Sequence, residues 1–185
     1  MYYSRLFVDP NNDDHVWVLG VAMHFSDDGG KTFRSGGMQR IHSDFHAFWI
    51  DPRNSNHVMA GCDGGIWRSF DHGQSWEHLN NIAIGQFYEI AYDMKKPYWV
   101  YGGLQDNYSW GGPSMSTGPS NEGPGNDDWV NIGGGDGFFN MVDWSNSDIV
   151  YQESQNGGII RLNVATGERK GIKPRQPAGE SAYRF

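Results

Sequence analysis

A single cysteine, Cys62, occurs in the 185-residue chain, so no internal disulfide and no cysteine-rich zinc site can form. Positive charge is also scarce. Lys and Arg number 14 against 22 Asp and Glu, giving a formal net charge of −8, and they form no cluster. Nucleic-acid partners are therefore excluded, because displacing phosphate counterions takes grouped basic residues. The acidic residues are scattered too, so no acidic tail is present. No apolar stretch approaches the roughly 20 residues of a membrane-spanning helix. The chain opens without a basic segment and apolar core, so no signal peptide is expected in it.

Glycine and aromatics are plentiful instead: 26 Gly, and 15% Phe, Trp and Tyr. They recur beside Asn and Asp, a mixture that suits short strands joined by tight turns. An apolar–Asp pair followed by a polar turn recurs at Val8-Asp9, Ile50-Asp51, Tyr92-Asp93 and Val142-Asp143. These Asp residues lie 42, 42 and 50 positions apart, and each precedes a second apolar strand, Val16–Val18, His57–Met59, Trp99–Tyr101 and Ile149–Tyr151. A period of about 40 to 50 with several strands per unit marks the blades of a β-propeller. The fold expected is all-β: about four four-stranded blades, approximately 1–41, 42–84, 85–134 and 135–181, with a further strand starting at 182–185. Both ends look cut, so the chain is expected to be part of a larger ring whose remaining blades are its partners.

Two units share a turn of the form Ser-x-Asp-x-Gly-x-Ser/Thr-aromatic. The first is Ser26, Asp28, Gly30, Thr32, Phe33, and the second Ser69, Asp71, Gly73, Ser75, Trp76. The carboxylate can accept backbone N–H groups of its own turn, and Gly supplies a left-handed conformation. The hydroxyl adds a local hydrogen bond, and the aromatic is expected to tuck beneath the hairpin. These Asp residues are read as holding turns. The third unit lacks this turn and carries a Gly/Pro/Ser-rich insertion, 111–128. The fourth has a plainer hairpin at 161–168.

These turns resemble the Asp-box (BNR) repeats of sialidases, xyloglucanases and sortilin-type propellers. Segments 85–89, 102–110, 133–137 and 153–158 are similar to a sortilin-like, glycosyl-hydrolase-like propeller family. The resemblance covers nearly the whole chain and implies a periplasmic or secreted setting. It also implies a polysaccharide or a protein or peptide as ligand.

In each unit the strand ending at the repeated Asp is taken as innermost, so successive turns alternate between two faces. The face opposite the Asp turns then gathers the turns at Asp63, at Gln105-Asp106-Asn107 and at Gln155-Asn156. Seven positions before the repeated Asp stand Asp44, Gln86 and Asp136; five before stand His46, Tyr88 and Phe138. Strand alternation would point the two sets the same way, converging on one channel mouth. Trp110 and Glu153 adjoin the same turns.

Asp44 and Asp136 are the candidate acid and base of an inverting glycosidase, which needs two carboxyls about 6.5–9.5 Å apart. The competing reading has such carboxylates capping turns. His42, Asp44 and His46 alternate along one stretch and offer two imidazoles and a carboxylate. No second cluster completes them, so no metal and no cofactor is expected. Trp49, Trp67, Trp99 and Trp144 are expected to fill gaps between blades. The function favoured is a non-catalytic extracytoplasmic propeller holding a protein, peptide or glycan at one channel mouth. A xyloglucanase-like glycoside hydrolase using paired carboxylates is the alternative.

Overall fold

Short β-rich segments separated by turns pair with their chain neighbours, and every strand pairing within the sheets of this computed structural model is antiparallel. The structure describes residues 4–35, 40–82, 84–115 and 125–181. The first sheet joins β1 (Arg5–Asp9), β2 (Asn12–Leu19) and β3 (Met23–Ser26). The second joins β4 (Phe45–Ile50), β5 (Val58–Cys62), β6 (Gly65–Ser69) and β7 (Glu77–His78). The third holds β8 (Phe87–Tyr92), β9 (Trp99–Leu104), β10 (Ser109–Pro113) and β11 (Val130–Gly133). The fourth holds β12 (Asn140–Val142), β13 (Ile149–Ser154), β14 (Gly158–Asn163) and β15 (Arg169–Gly171). The chain is all-β, a run of up-and-down sheets of the propeller-blade kind; among the described residues there is no α-helix.

The first sheet departs from expectation with three strands. At the place of a fourth stands one bridge, in which Phe25 and Arg34 exchange backbone hydrogen bonds of 2.9 Å. The strand expected from residue 182 lies outside the described residues.

Two compact units divide the chain, Met1–Ile82 and Ala83–Phe185. In the first unit the two sheets pack through Trp17, Leu19, Met23 and Phe25 on one side and Phe45, Phe48, Ile50, Val58 and Ala60 on the other. The Trp17 ring lies 4.8 Å from that of Phe48. In the second unit Tyr101, Ile132, Val150 and Leu162 form the core.

The repeated Asp closes the turn after each first strand. Its carboxylate accepts the N–H two residues on, at Asn11 (2.9 Å), Arg53 (2.9 Å), Lys95 (3.1 Å) and Ser145 (2.9 Å). Neighbouring sheets are clasped at these turns. Ser55 donates to Asp9 Oδ1 at 2.7 Å in the first unit, and Lys95 pairs with Asp148 at 2.8 Å in the second.

The two Ser-x-Asp turns have one geometry. Ser26 and Ser69 donate to Asp28 and Asp71 at 2.7 Å while accepting the Gly30 and Gly73 N–H groups at 2.8 and 2.9 Å. The other carboxylate oxygens accept the Thr32 and Ser75 hydroxyls at 2.6 and 2.5 Å. Their aromatics diverge. Trp76 is half-buried against the core and donates to the Gly73 carbonyl at 3.0 Å. Phe33 is 46% exposed instead of tucked beneath its hairpin, since the strand that would carry it is reduced to the Phe25–Arg34 bridge.

Gly73 has φ +81°, and a Cβ there would stand 2.5 Å from the Trp17 ring. Gly73→Ala is therefore expected to cost about 2–4 kcal/mol, read from the urea midpoint. The Ser75 hydroxyl, ahead of the Ser75 N–H and the Ser69 hydroxyl, outweighs desolvation and holds the Asp71 carboxyl down at about 2. A depressed folded pKa means its stabilisation is present above the ordinary value of 3.8 and lost as pH falls through about 2. Asp71→Asn should flatten the acid limb of an unfolding-versus-pH curve over that window.

Candidate functional site

At the strand ends opposite the Asp turns, the segment leading into the second blade of each unit pairs with the second-to-third-strand turn of the first. In the first unit Asp44 N–H donates to the Val21 carbonyl and Phe45 N–H to Gly20, both at 2.9 Å. In the second, Tyr108 N–H donates to Gly135 and Gly137 N–H to Leu104, both at 3.0 Å. Gly103 and Gly137 meet so closely that a Cβ on Gly103 would overlap the Gly137 backbone. That contact requires glycine on both strands.

Asp136 is the hub of the second unit's mouth. Its Oδ1 accepts the Asp106 backbone N–H at 2.6 Å, and its Oδ2 accepts the Gln155 side-chain amide at 2.7 Å. One carboxylate thereby ties the turn of the third sheet to the turn of the fourth. Around it, Asn107 donates to the Gln105 carbonyl at 3.1 Å, and the Trp110 indole N–H to the Asn107 carbonyl at 2.7 Å. Asp106, Tyr108 and Asn156 take left-handed backbone, with φ of +57°, +69° and +60°. The Asn156 carbonyl accepts the Lys173 ammonium at 2.6 Å. Glu153 is half-buried in β13 opposite Ile159, and its main chain hydrogen-bonds Phe138 and Phe139.

Tyr88 stacks on Phe138 with centroids 5.6 Å apart and 21° between planes. Tyr88 and Tyr108 both keep almost half their surface exposed. Partial desolvation, with the charges of Asp136 and Asp106, pushes the Tyr88 phenol above its ordinary pKa, so it remains a neutral hydrogen-bond donor. Gln86 precedes β8 and is exposed.

In the first unit His46 Nε2 lies 2.7 Å from Asp63 Oδ1, and the Ser43 hydroxyl donates to Asp44 at 2.6 Å. Simple strand alternation does not place these residues. β4 begins at Phe45, Asp44 has φ +65°, and a bulge between Phe45 and Ala47 sets His46 out of the ladder. A matching bulge between Phe87 and Glu89 does the same for Tyr88. Bulges re-aim side chains at strand ends, and the period-two pattern of the sequence carried no signal for them.

The set His42, Asp44, His46 is divided by the same break: His42 Nδ1 meets its neighbour's Ser43 carbonyl at 3.1 Å while His46 engages Asp63. Of the tryptophans read as gap fillers, Trp67 stacks on His78 and Trp99 packs on the second core. Trp144, by contrast, is 97% exposed, since it occupies the turn after Asp143 and no strand.

Up-and-down blade-type sheets, clasped in pairs at their turns within each unit, define a β-propeller class of protein. Part of its sequence is similar to a xyloglucanase. No protein-family model matches the chain. An oligoxyloglucan-reducing end-specific xyloglucanase of Emericella nidulans is 34% identical over 82 residues, 40% of this chain and 10% of that enzyme. An ancestral GH74 enzyme aligns with a TM-score of 0.41 at 16% identity, over 91% of this chain and 23% of its own. YCF48 bound to D1 peptide aligns with a TM-score of 0.34 at 13% identity, over 87% and 50%. The chain thus spans about a tenth of the length of the curated relative it matches.

Asp136→Asn should set an amide donor against either the Asp106 N–H or the Gln155 amide. The expected cost is about 1–3 kcal/mol. Hydrogen exchange at the Asp106 amide should accelerate about tenfold or more, while exchange in β4–β6 stays unchanged.

Proposed function

We propose that this chain is a non-catalytic, extracytoplasmic binding module of sortilin-like, Asp-box propeller type, taking a glycan or peptide at the mouth built around Asp136. Supporting this reading above all, both oxygens of Asp136 are spent on holding turns, at 2.6 and 2.7 Å. A general acid or base needs an oxygen directed at substrate. What the mouth offers outward is the face and hydroxyl of Tyr88, the exposed Tyr108 ring and side-chain amides such as Gln105. Flat aromatic surface rimmed by amides suits a sugar ring or an extended peptide. In the parent the missing blades would complete the ring.

The second reading, a xyloglucanase-like glycoside hydrolase, is favoured by the partial match to the Emericella nidulans enzyme. It would place catalysis on a pair such as Asp44 and Asp136.

The two readings separate on one preparation of the chain, assayed on a xyloglucan and β-glucan panel and a peptide library. Retarded electrophoretic mobility in one ligand class, with no new reducing ends, is expected. Tyr88→Ala should weaken that binding about five- to thirtyfold, through loss of a stacking contact worth about 1–2 kcal/mol. Release of reducing ends that is lost in both Asp44→Asn and Asp136→Asn would replace the binding reading with the enzymatic one.

A further inference from the structure

At the opposite end of the first unit, the carboxylate of the Asp9 turn meets two histidines that no turn requires. Asp9, His15 and His72 each offer one ligand atom, and these atoms all lie within 4.8 Å of one another. Asp9 Oδ2, His15 Nδ1 and His72 Nε2 are buried without a hydrogen-bond partner among the described residues. The Asp9 side chain is fully buried, and its other oxygen is already taken by Asn11 N–H and the Ser55 hydroxyl.

The neighbours fix which atoms point inward. His72 Nδ1 lies 2.7 Å from the Ser55 carbonyl, so it carries the proton and donates there. A neutral His72 then presents its Nε2 lone pair beside the Asp9 carboxylate and the His15 N–H. The imidazole is further held by Trp17 and Phe25, with ring centroids 5.6 and 5.2 Å away. His15 Nδ1 stands 3.5 Å from Asp9 Oδ2, and its outer nitrogen meets the exposed Asn12 amide at 3.2 Å. A carboxylate and an imidazole lone pair facing one another in a dry pocket are stabilised by a cation between them.

We propose that Asp9, His15 and His72 bind a divalent first-row transition metal of the zinc class, which clasps the first sheet to the second. Two imidazole nitrogens and one carboxylate oxygen are a sufficient set for such an ion. Tetrahedral donors about 2.0–2.1 Å from zinc stand about 3.3–3.4 Å apart. The Asp9–His15 distance of 3.5 Å already fits, and the widest of the three has to close by no more than about 1.4 Å. The Ser55 carbonyl bound to His72 is the outer-sphere acceptor that fixes a metal-binding tautomer. On the His15 side, metal displaces the Nδ1 proton, and rotation of the exposed Asn12 amide accommodates the switch. The His15 side chain, 29% exposed, is the route of entry and leaves room for a water as fourth ligand.

The test uses the full chain, freed of metal with a chelator and titrated with Zn2+ by calorimetry and with Co2+ by visible absorption. Expected are one metal per chain, d–d bands of a four- or five-coordinate cobalt, and a rise in Tm with Zn2+. Affinity should fall as pH falls, because metal and proton compete for the same ring nitrogens. His15→Ala and His72→Ala should each lower it at least about thirtyfold. His24→Ala, at a half-buried histidine of β3 outside the cluster, should leave it unchanged. Because His72 also packs on Trp17, His72→Gln accompanies it, and the cobalt spectrum of the unmutated chain stands without any variant. Absence of one-to-one binding in the micromolar range overturns the proposal, as does binding that survives loss of both histidines.

Discussion

The structure depends on one interaction repeated four times, a carboxylate at the end of each blade's first strand capping its own turn. Asp9, Asp51, Asp93 and Asp143 each accept the N–H two residues on, which fixes where the chain reverses. The second oxygen of each faces a side chain on or just before the following strand: His15, His57, Tyr101 and Tyr151. Hydrogen bonding to the charged form holds the Asp51 and Asp143 carboxyls below the ordinary range, so these groups stay ionised and keep their turns closed at neutral pH. From that anchor the register of each first hairpin follows. The register then decides which apolar residues meet the neighbouring sheet within a unit.

Much of this was legible in the sequence because turn chemistry is local. The Asp spacing and the two Ser-x-Asp turns are set by residues within a few positions of one another, and their hydrogen bonds follow from side-chain reach. The mouth was legible only in outline. Asp136, Gln155 and Asp106 gather as the turn order implied, but Asp136 proves to be a brace between turns. The bulges at His46 and Tyr88 and the left-handed Asp44 are departures from regular pairing, which a period-two pattern cannot encode. Phe33 and Trp76 show the same limit. Identical motif positions reach different environments because one has a following strand and the other a single bridge.

The chemistry of a propeller mouth follows from how its carboxylates are employed. A sheet end exposes backbone donors, and the nearest Asp tends to satisfy them, as Asp136 does for Asp106. Removing such a group from its turn to act on substrate would leave an N–H without a partner, at a cost of about 1–3 kcal/mol. Binding makes no such demand. Tyr88 can serve a ligand while its ring stays on Phe138, and the raised phenol pKa keeps it a donor. For this arrangement recognition requires less reorganisation than hydrolysis.

The histidine cluster arises from two repeats crossing. The histidine six residues after the Asp occurs twice, at His15 and His57, and both face their own Asp at 3.5 and 3.7 Å. Only His15 also meets a histidine carried by a Ser-x-Asp turn, because His72 lies in the second sheet's turn and leans over the first sheet's Trp17 and Phe25. The left-handed φ of +59° at His72 is what aims it there. A β-turn does not need histidine at that position, and Lys31's neighbour Gly30 and its predecessor Gly29 fill the corresponding stretch of the first turn. A strained, aromatic-packed imidazole with a lone pair turned toward a buried carboxylate is over-specified for packing alone. That excess, more than proximity, separates a built cation site from histidines that merely share a neighbourhood.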